Sequence, residues 1–343
     1  MAEAIVSYPG AKWRFYPHMV QYFPVDMKTY IEPFLGGGSV ALSISDDTRF
    51  DKLERMILGD LYSEMWAFWT GVKNNPNDVH KIAVDWFTKN CPHQIEFKDQ
   101  GIDAAGGREL EDNISKIDTD EKLSDEYKKQ AHFNLELYHV VKSEAEKFWK
   151  WCEDVDCTTL SIPERAARMY LVNKMSFSAM GDSGSLSMDR FCAFRLENAN
   201  RIEETSKLLT RAEIYNVSFE DTMKYGNDDP DNSFIFLDPP YFDQEKSGLY
   251  GRNGNMHHGF PHLKFAEYTK SMKCKWFVTY DDSVAVRKLF YGKDAYGKEI
   301  QLIPFTIPGG YTMAQKNAED ALAGEELFIM NYNNSDNELD FDF

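Results

Sequence analysis

Residues 232–241 read NSFIFLDPPY. The run FIFL at 234–237 has no alternating polar position, which is the pattern of a strand buried on both faces. Two prolines follow Asp238 at once. Neither can donate to a sheet ladder and each fixes its own φ, so the chain must leave the sheet there. Working outward, KTYIEP at 28–33 makes a short strand that runs into a glycine turn and a helix, FLGGGSVALSI at 34–44. RMILGD at 55–60 is a second strand, and it ends in an acid. AEIYNV at 212–217 is a third, followed by SFEDTM turning into a helix. Beyond the prolines come a glycine-rich loop at roughly 242–261, a helix in LKFAEYTKSM, and strands in KWFVTYDD, IQLIPFTI and EELFIMNY. Strands alternating with helices predict an α/β fold with a parallel, doubly wound sheet.

The middle of the chain follows a different pattern. Residues 64–89 have helical spacing, 90–123 are polar and carry GIDAAGG, and 125–152 predict a strong helix. In that helix Tyr127, Ala131, Leu135, Tyr138, Val141, Ala145 and Phe148 recur at steps of three and four, which marks one buried face. The expected organisation is therefore a domain built from residues 1–64 and 197–335, a mainly helical insertion at 65–196, and an acidic, disordered tail at 336–343.

Composition narrows the class. A chain of 343 residues with 43% hydrophobic and 14% aromatic content can bury a large core. No apolar run approaches the roughly 20 residues of a membrane-spanning helix, and the N-terminus lacks the layout of a secretory signal. Cys91, Cys152, Cys157, Cys192 and Cys274 form no CxxC pair, so reduced thiols in a cytoplasmic protein are expected. The formal net charge of −18 opposes binding to a polyanion, but that sum does not describe any one face. Arg165, Arg168, Lys174, Arg190, Arg195 and Arg201 lie near one another in sequence and leave room for a basic patch.

Chemistry concentrates at strand ends, where ligands bind in open α/β sheets. Asp238, Pro239, Pro240 and Tyr241 offer a carboxylate and a carbonyl on a stiff turn beside an aromatic ring. Such a turn can receive an amino group on a flat base; read alone, it is equally a strand exit containing two prolines. The amino nitrogen of adenine is a weak nucleophile because its lone pair is delocalised into the ring. If Asp238 and the Pro239 carbonyl accept its hydrogens, the lone pair can aim at a sulfonium methyl, and positioning with charge stabilisation suffices. Tyr241 would stack on the base, which must first be flipped out of a duplex. FLGGGS at 34–39 permits close backbone approach, and its spacing departs from the dinucleotide GxGxxG pattern. Asp60 suits ribose hydroxyls, or else serves as a helix N-cap. His257, His258 and His262 lie together in HHGFPH, but without the supporting acids or cysteines of a metal site no metal is expected.

These elements, in this order, resemble the adenine-specific DNA methyltransferase family typified by DNA adenine methylases. The resemblance is carried by YPGAKW at 8–13, IEPFLGGGSVA at 31–41, GDLYSEM at 59–65, NVSFEDTM at 216–223 and FLDPPY at 236–241. It implies a Rossmann-like S-adenosylmethionine-dependent methyltransferase fold with an inserted target-recognition domain, and double-stranded DNA as partner. By the same resemblance Tyr8 and Lys12 contact the methionine end of S-adenosylmethionine, while Phe34, Gly36 and Gly38 pack close to it. Asp60 holds the ribose, Phe219 flanks the adenine ring, and Asp238, which also borders the cofactor, forms the catalytic set with Pro239, Pro240 and Tyr241. NKMSFSAMGDSGSLSMDRF at 173–191 is similar to the hairpin that relatives place in the major groove, which makes Asn173, Lys174 and Arg190 the candidates for DNA contact. It departs from the family in its serines and in Asp182. Other readings stay open: methylation of amino groups on RNA, cytosine or protein, a non-catalytic subunit that kept the fold, and a partner protein docked on the acidic tail.

Overall fold

The computed structural model describes residues 5–8, 10–177, 184–241, 259–306 and 325–333. Its strands are β1 (Thr29–Glu32), β2 (Arg55–Gly59), β3 (Ala212–Tyr215), β4 (Ser233–Leu237), β5 (Lys275–Asp281), β6 (Gln301–Thr306) and β7 (Glu325–Met330). They form one sheet in the order β3-β2-β1-β4-β5-β7-β6. The pairs from β3 through β5 are parallel, and β7 runs antiparallel to both β5 and β6. All five residues of β4 are buried, as its uninterrupted apolar run requires.

The sheet separates two apolar clusters by simple alternation. Tyr30, Met56, Leu58, Phe234, Phe236, Phe277, Phe328 and Met330 face one side. Ile31, Ile57, Ile235, Leu237, Trp276, Val278, Leu327 and Ile329 face the other. The first side is covered by the N-terminal segment with α1 (Tyr16–Met19), by α2 (Ser39–Asp46) and by the inserted helices. The second is covered by the short helix at Phe219–Met223 and by two more at His262–Lys270 and Val284–Phe290.

The insertion contains α3 (Ser63–Asn74), α4 (Pro76–Asn90), α5 (His93–Asp99), α6 (Ala104–Thr119), α7 (Asp125–Asp154), α8 (Ile162–Met175), α9 (Met188–Ala193) and α10 (Arg201–Leu208). Sequence-encoded caps set several of its starts: Ser161 and Glu164 form a capping box on α8, and Ser124 caps α7. The polar stretch at 90–123 is largely helical. There Gly107 lets the Tyr138 ring approach so closely that a Cβ would lie 2.3 Å from it. The predicted stripe on α7 is buried from Ala131 to Phe148, with Leu135 partly covered. Tyr127, in the first turn, is exposed. A boundary drawn at residue 64/65 falls inside α3, which packs on α8, α10 and β3. The cluster that holds Tyr30 and Met56 of the sheet also holds Phe87, Phe148 and Tyr170 of the insertion, so the core runs unbroken across that boundary.

Among the described residues no helix is long and apolar enough to cross a membrane. All five cysteines are buried, and among the described residues no disulfide joins them. The tail at 336–343 lies outside the described residues.

Candidate active site

Strand order reverses between β1 and β4, and that crevice is where an open parallel sheet binds ligands. The two strands pair in parallel with Ile31 opposite Ile235. Their C-terminal turns, the glycine bend and the Asp238 corner, therefore leave the sheet side by side.

At the Asp238 corner, Thr279 of β5 donates to Oδ1 of Asp238 at 2.8 Å. The Lys12 ammonium lies 2.9 Å from the same oxygen. Among the described residues Oδ1 takes both contacts, leaving Oδ2 for an incoming donor. Lys12 is only 3% exposed, donates to the Gly10 carbonyl at 2.9 Å and lies 4.0 Å from Glu326 of β7. Burial pulls its pKa down, but the charges of Asp238 and Glu326 outweigh that, and Lys12 stays above the ordinary lysine value. The ammonium also sits 4.8 Å over the ring of Tyr241. Tyr241 donates its phenol to Glu326 Oε2 at 2.5 Å and stacks on Tyr280 at 5.8 Å between centroids. The Tyr280 hydroxyl meets Nδ1 of His262.

At the glycine bend, Gly36 and Gly38 have φ of +45° and +65°, a region that disfavours any side chain. The bareness of the bend is filled from within the protein. A Cβ on Gly36 would lie 2.9 Å from the Tyr8 ring, one on Gly37 2.7 Å from the Tyr8 Cβ, and one on Gly38 2.7 Å from the Trp69 ring. On the sides where a Cβ would point, Tyr8 and Trp69 occupy the space. Trp69 also donates its indole N–H to the Gly36 carbonyl at 2.8 Å. Asp60, at the end of β2, accepts from the Gly36 and Tyr62 amides at 2.8 Å each, one on either oxygen. Burial pushes its pKa up to about 6 against those two donors. Glu32 closes β1 beneath the bend, bonded to the Tyr30 hydroxyl at 2.7 Å. Burial pushes it up to about 8, and it senses the charges of both Asp238 and Asp60. Phe34 and Phe219 stack at 5.8 Å and 25°, with Phe260 and Phe265 around them.

The contacts thus join Lys12, Asp238 and Tyr241 at the corner, Tyr8, Gly36 and Asp60 at the bend, where Gly38 also lies, and Phe34 with Phe219 beside it, on turns that follow adjacent strands. The DNA-contact candidates are arranged otherwise. Asn173 is buried, and its amide accepts from the Ser7 N–H at 3.1 Å and donates to the Ser7 carbonyl at 2.6 Å. That side chain ties the N-terminal segment to α8 and does not face outward. Arg190 is half-buried and donates to the carbonyls of Lys174 and Asn173, both at 3.2 Å, so it caps the end of α8. Lys174 lies over the Tyr170 ring. The sequence-adjacent cations do not form one patch: Arg168 is buried against the Cys152 carbonyl and Arg165 pairs with Glu64. The root of the expected hairpin is present, with Ser176 bridged to Leu186 and the Phe177 amide on the Ser185 carbonyl at 2.7 Å. Its tip with Asp182 lies outside the described residues, as do His257 and His258. Residues that sequence reading missed are Glu32, Trp69, Thr279 and Glu326. The available signal was a lone polar residue at a buried position of a strand (Glu32, Thr279, Glu326) or, for Trp69, a helical tryptophan with an indole N–H to satisfy.

Fold and site define the class first. This strand order, with its one reversed strand, is the Rossmann-like fold of S-adenosylmethionine-dependent methyltransferases. Residues 8–301 match the D12 class N6 adenine-specific DNA methyltransferases, and the chain belongs to that family. It is an enzyme that methylates adenine in DNA, and it therefore needs a methyl donor. The chain is similar to the type II methyltransferase M.MjaIII of Methanocaldococcus jannaschii, at 21% identity over 310 residues, covering 88% of this chain and 83% of the relative. It is also similar to the type II methyltransferase M.CviBI of Paramecium bursaria Chlorella virus NC1A, at 23% identity over 295 residues, covering 84% and 87%.

Proposed function

We propose that the crevice between β1 and β4 binds S-adenosylmethionine at the glycine bend and methylates N6 of an adenine flipped out of double-stranded DNA at a specific sequence. The observation that carries this reading is the adjacency of the Asp238 corner and the glycine bend on neighbouring parallel strands. The residues present suit the donor: Asp60 has lone pairs beyond its two backbone contacts for ribose hydroxyls, and Phe34 with Phe219 offers aromatic faces for a purine. Tyr8 and Lys12 stand towards its methionine end. When bound, the donor supplies an electrophilic methyl group on a positively charged sulfur.

The chain's residues then act on the base. Asp238 Oδ2 and the Pro239 carbonyl accept the two amino hydrogens and turn the N6 lone pair out of conjugation. The nitrogen forms its bond to the methyl carbon as the carbon–sulfur bond breaks, and sulfur keeps that electron pair. Positive charge develops on N6 beside the Asp238 carboxylate, which stabilises it until the nitrogen gives up a proton to water. Thr279 fixes the carboxylate's orientation from behind. Tyr241 stacks on the base once Lys12 has moved off its ring, and Pro240 keeps the turn stiff. Lys174 stands towards DNA at the hairpin root, and Arg190 and Asn173 support that root. The acidic tail is a second candidate contact, for a partner protein.

The test offers labelled S-adenosylmethionine with unmethylated duplex DNA, RNA and protein in parallel at low salt. Label should appear on N6 of adenine in duplex DNA. Asp238→Ala should lose at least about 100-fold in kcat, as expected when a transition-state contact is removed, and keep donor affinity within about 3-fold. Turnover in Asp238→Ala near that of the parent enzyme rejects the assignment.

A further inference from the structure

Lys12 occupies the corner in a way the proposed chemistry has to undo. Its ammonium sits on the carboxylate that the amino group of the base needs, and over the ring on which the base would stack. Because Lys12 is almost wholly buried, it cannot simply withdraw into water: a desolvated ammonium needs a new anionic partner when it gives up the old one. The structure holds one within reach. Glu326 is 1% exposed, and its carboxylate is 4.0 Å from the Lys12 ammonium, against 2.9 Å for Asp238. Its other oxygen accepts the Tyr241 phenol.

The position of Glu326 in the sheet marks it as out of place for packing alone. On β7 it shares a face with Phe328 and Met330, both buried in the apolar cluster beneath the N-terminal segment. It pairs with Asp281 of β5 on one side and with Phe305 of β6 on the other. A charge at an interior position of an antiparallel ladder carries a desolvation cost, and here that cost is offset by a lysine and a phenol that both belong to the active site.

We propose that Glu326 is a positioning residue for methyl transfer: it holds the Tyr241 ring by its phenol and takes over the Lys12 ammonium when the base occupies Asp238. This rests on the reading of Asp238 as the acceptor of the N6 hydrogens. In the free enzyme Lys12 bridges towards both carboxylates. As the base enters, the ammonium moves towards Glu326, and the Asp238 side chain is released to accept from the base. Without the second carboxylate Lys12 stays on Asp238 and competes with the base. That competition is for Asp238, and it leaves in place the Asp60 and Phe34–Phe219 contacts proposed for the donor.

The experiment compares Glu326→Gln and Glu326→Ala in the full-length enzyme with S-adenosylmethionine and unmethylated genomic DNA. Glutamine keeps an acceptor for the phenol and removes only the charge, whereas alanine removes both. Glu326→Gln should lower kcat about 10-fold and Glu326→Ala about 100-fold, with the KM for the donor within about 3-fold of the parent. DNA binding by anisotropy and thermal unfolding of Glu326→Gln should match the parent. A parental kcat in Glu326→Gln, or a loss confined to donor KM, overturns the proposal. If Glu326→Ala fails to fold, Glu326→Gln decides alone. Asp238→Ala, run alongside, separates the two claims. Turnover in that variant rejects the underlying site reading. An inactive Asp238→Ala beside a fully active Glu326→Gln rejects the role of Glu326 alone.

Discussion

Replacing Asp60 by Asn tests the donor half of the site most directly. The Asp60 carboxylate accepts one backbone N–H on each oxygen, from Gly36 and Tyr62, both at 2.8 Å. Asparagine has one acceptor oxygen, so one of the two amides must face its NH2 group. A hydrogen bond to a charged group contributes about 1.5–3 kcal/mol, but burial already disfavours the Asp60 charge, so the lost bond and the lost charge act on stability in opposite directions. Donor affinity should fall roughly 10- to 100-fold, because the ribose hydroxyls lose an anionic acceptor of the same strength. The pH dependence provides an independent check. Burial raises the Asp60 pKa from 3.8 to about 6, so the ionised form that binds hydroxyls best becomes dominant as pH rises through about 6. Donor affinity of the parent enzyme should therefore rise between about pH 5 and about pH 7, and Asp60→Asn should not share that rise. Stability moves the opposite way. The folded state holds this proton more tightly than the unfolded chain does. The contribution is complete below the ordinary value of 3.8 and is lost as pH rises through about 6. Calorimetric titration of S-adenosylmethionine into both proteins across that range measures the affinities. Parental affinity in Asp60→Asn, or a rise with pH that survives the substitution, would refute the assignment of Asp60 to the donor.

Two further outcomes follow from the bend. Gly38→Ala puts a Cβ at φ +65° and 2.7 Å from the Trp69 ring, whose indole N–H holds the Gly36 carbonyl. Strain at such a backbone costs about 1–3 kcal/mol before any displacement of Trp69, so denaturant unfolding should register a loss of at least that size together with weaker donor binding; parental stability contradicts the packing described. Glu32→Gln replaces a group whose charged form burial disfavours, with its pKa raised from 4.5 to about 8. Its contribution to stability is complete below 4.5 and is lost as pH rises through about 8, by up to roughly 5 kcal/mol at about 1.4 kcal/mol per pH unit. The glutamine variant should thus gain on the parent between about pH 6 and about pH 9 in melting experiments, and a constant gap across that range would contradict it.

The sheet was legible in the sequence because its signals are local. FIFL, RMIL and WFVTY are apolar runs long enough to be strands and too short to be helices, and glycine or proline closes two of them. The Asp238 corner and the glycine bend were legible for the same reason: each places an unusual backbone directly after a strand. What the sequence left hidden was pairing across distance. Nothing near Asn173 says that its amide will meet Ser7, more than 160 residues earlier, and a polar residue in a serine-rich hairpin reads as a DNA contact until that partner is known. Arg168 likewise looks like part of a basic surface until the chain brings the Cys152 carbonyl against it. Glu326 lay in a strand that was read correctly. Its role depends on a lysine more than 300 positions away, and no periodicity carries that information.

The same distinction resolves the tension between a net charge of −18 and a DNA substrate. The acids that matter chemically are gathered inside the crevice: Asp238, Asp60, Glu32 and Glu326 surround Lys12 and the glycine bend. The groups this reading brings to them are a sulfonium and an amino nitrogen that becomes positive during transfer, and both are stabilised by carboxylates. On that reading phosphates stay outside that space, because only a flipped base enters it. Several cations that would have raised the surface potential are spent inside the protein, Arg168 on a carbonyl, Arg165 on Glu64 and Arg190 on the end of α8. A whole-chain sum adds together acids that face the reaction and acids that face water. The duplex responds only to the field on the face it approaches, and that field decays within about 10 Å at ordinary ionic strength. Strong net acidity and adenine methylation in DNA are therefore compatible in one chain.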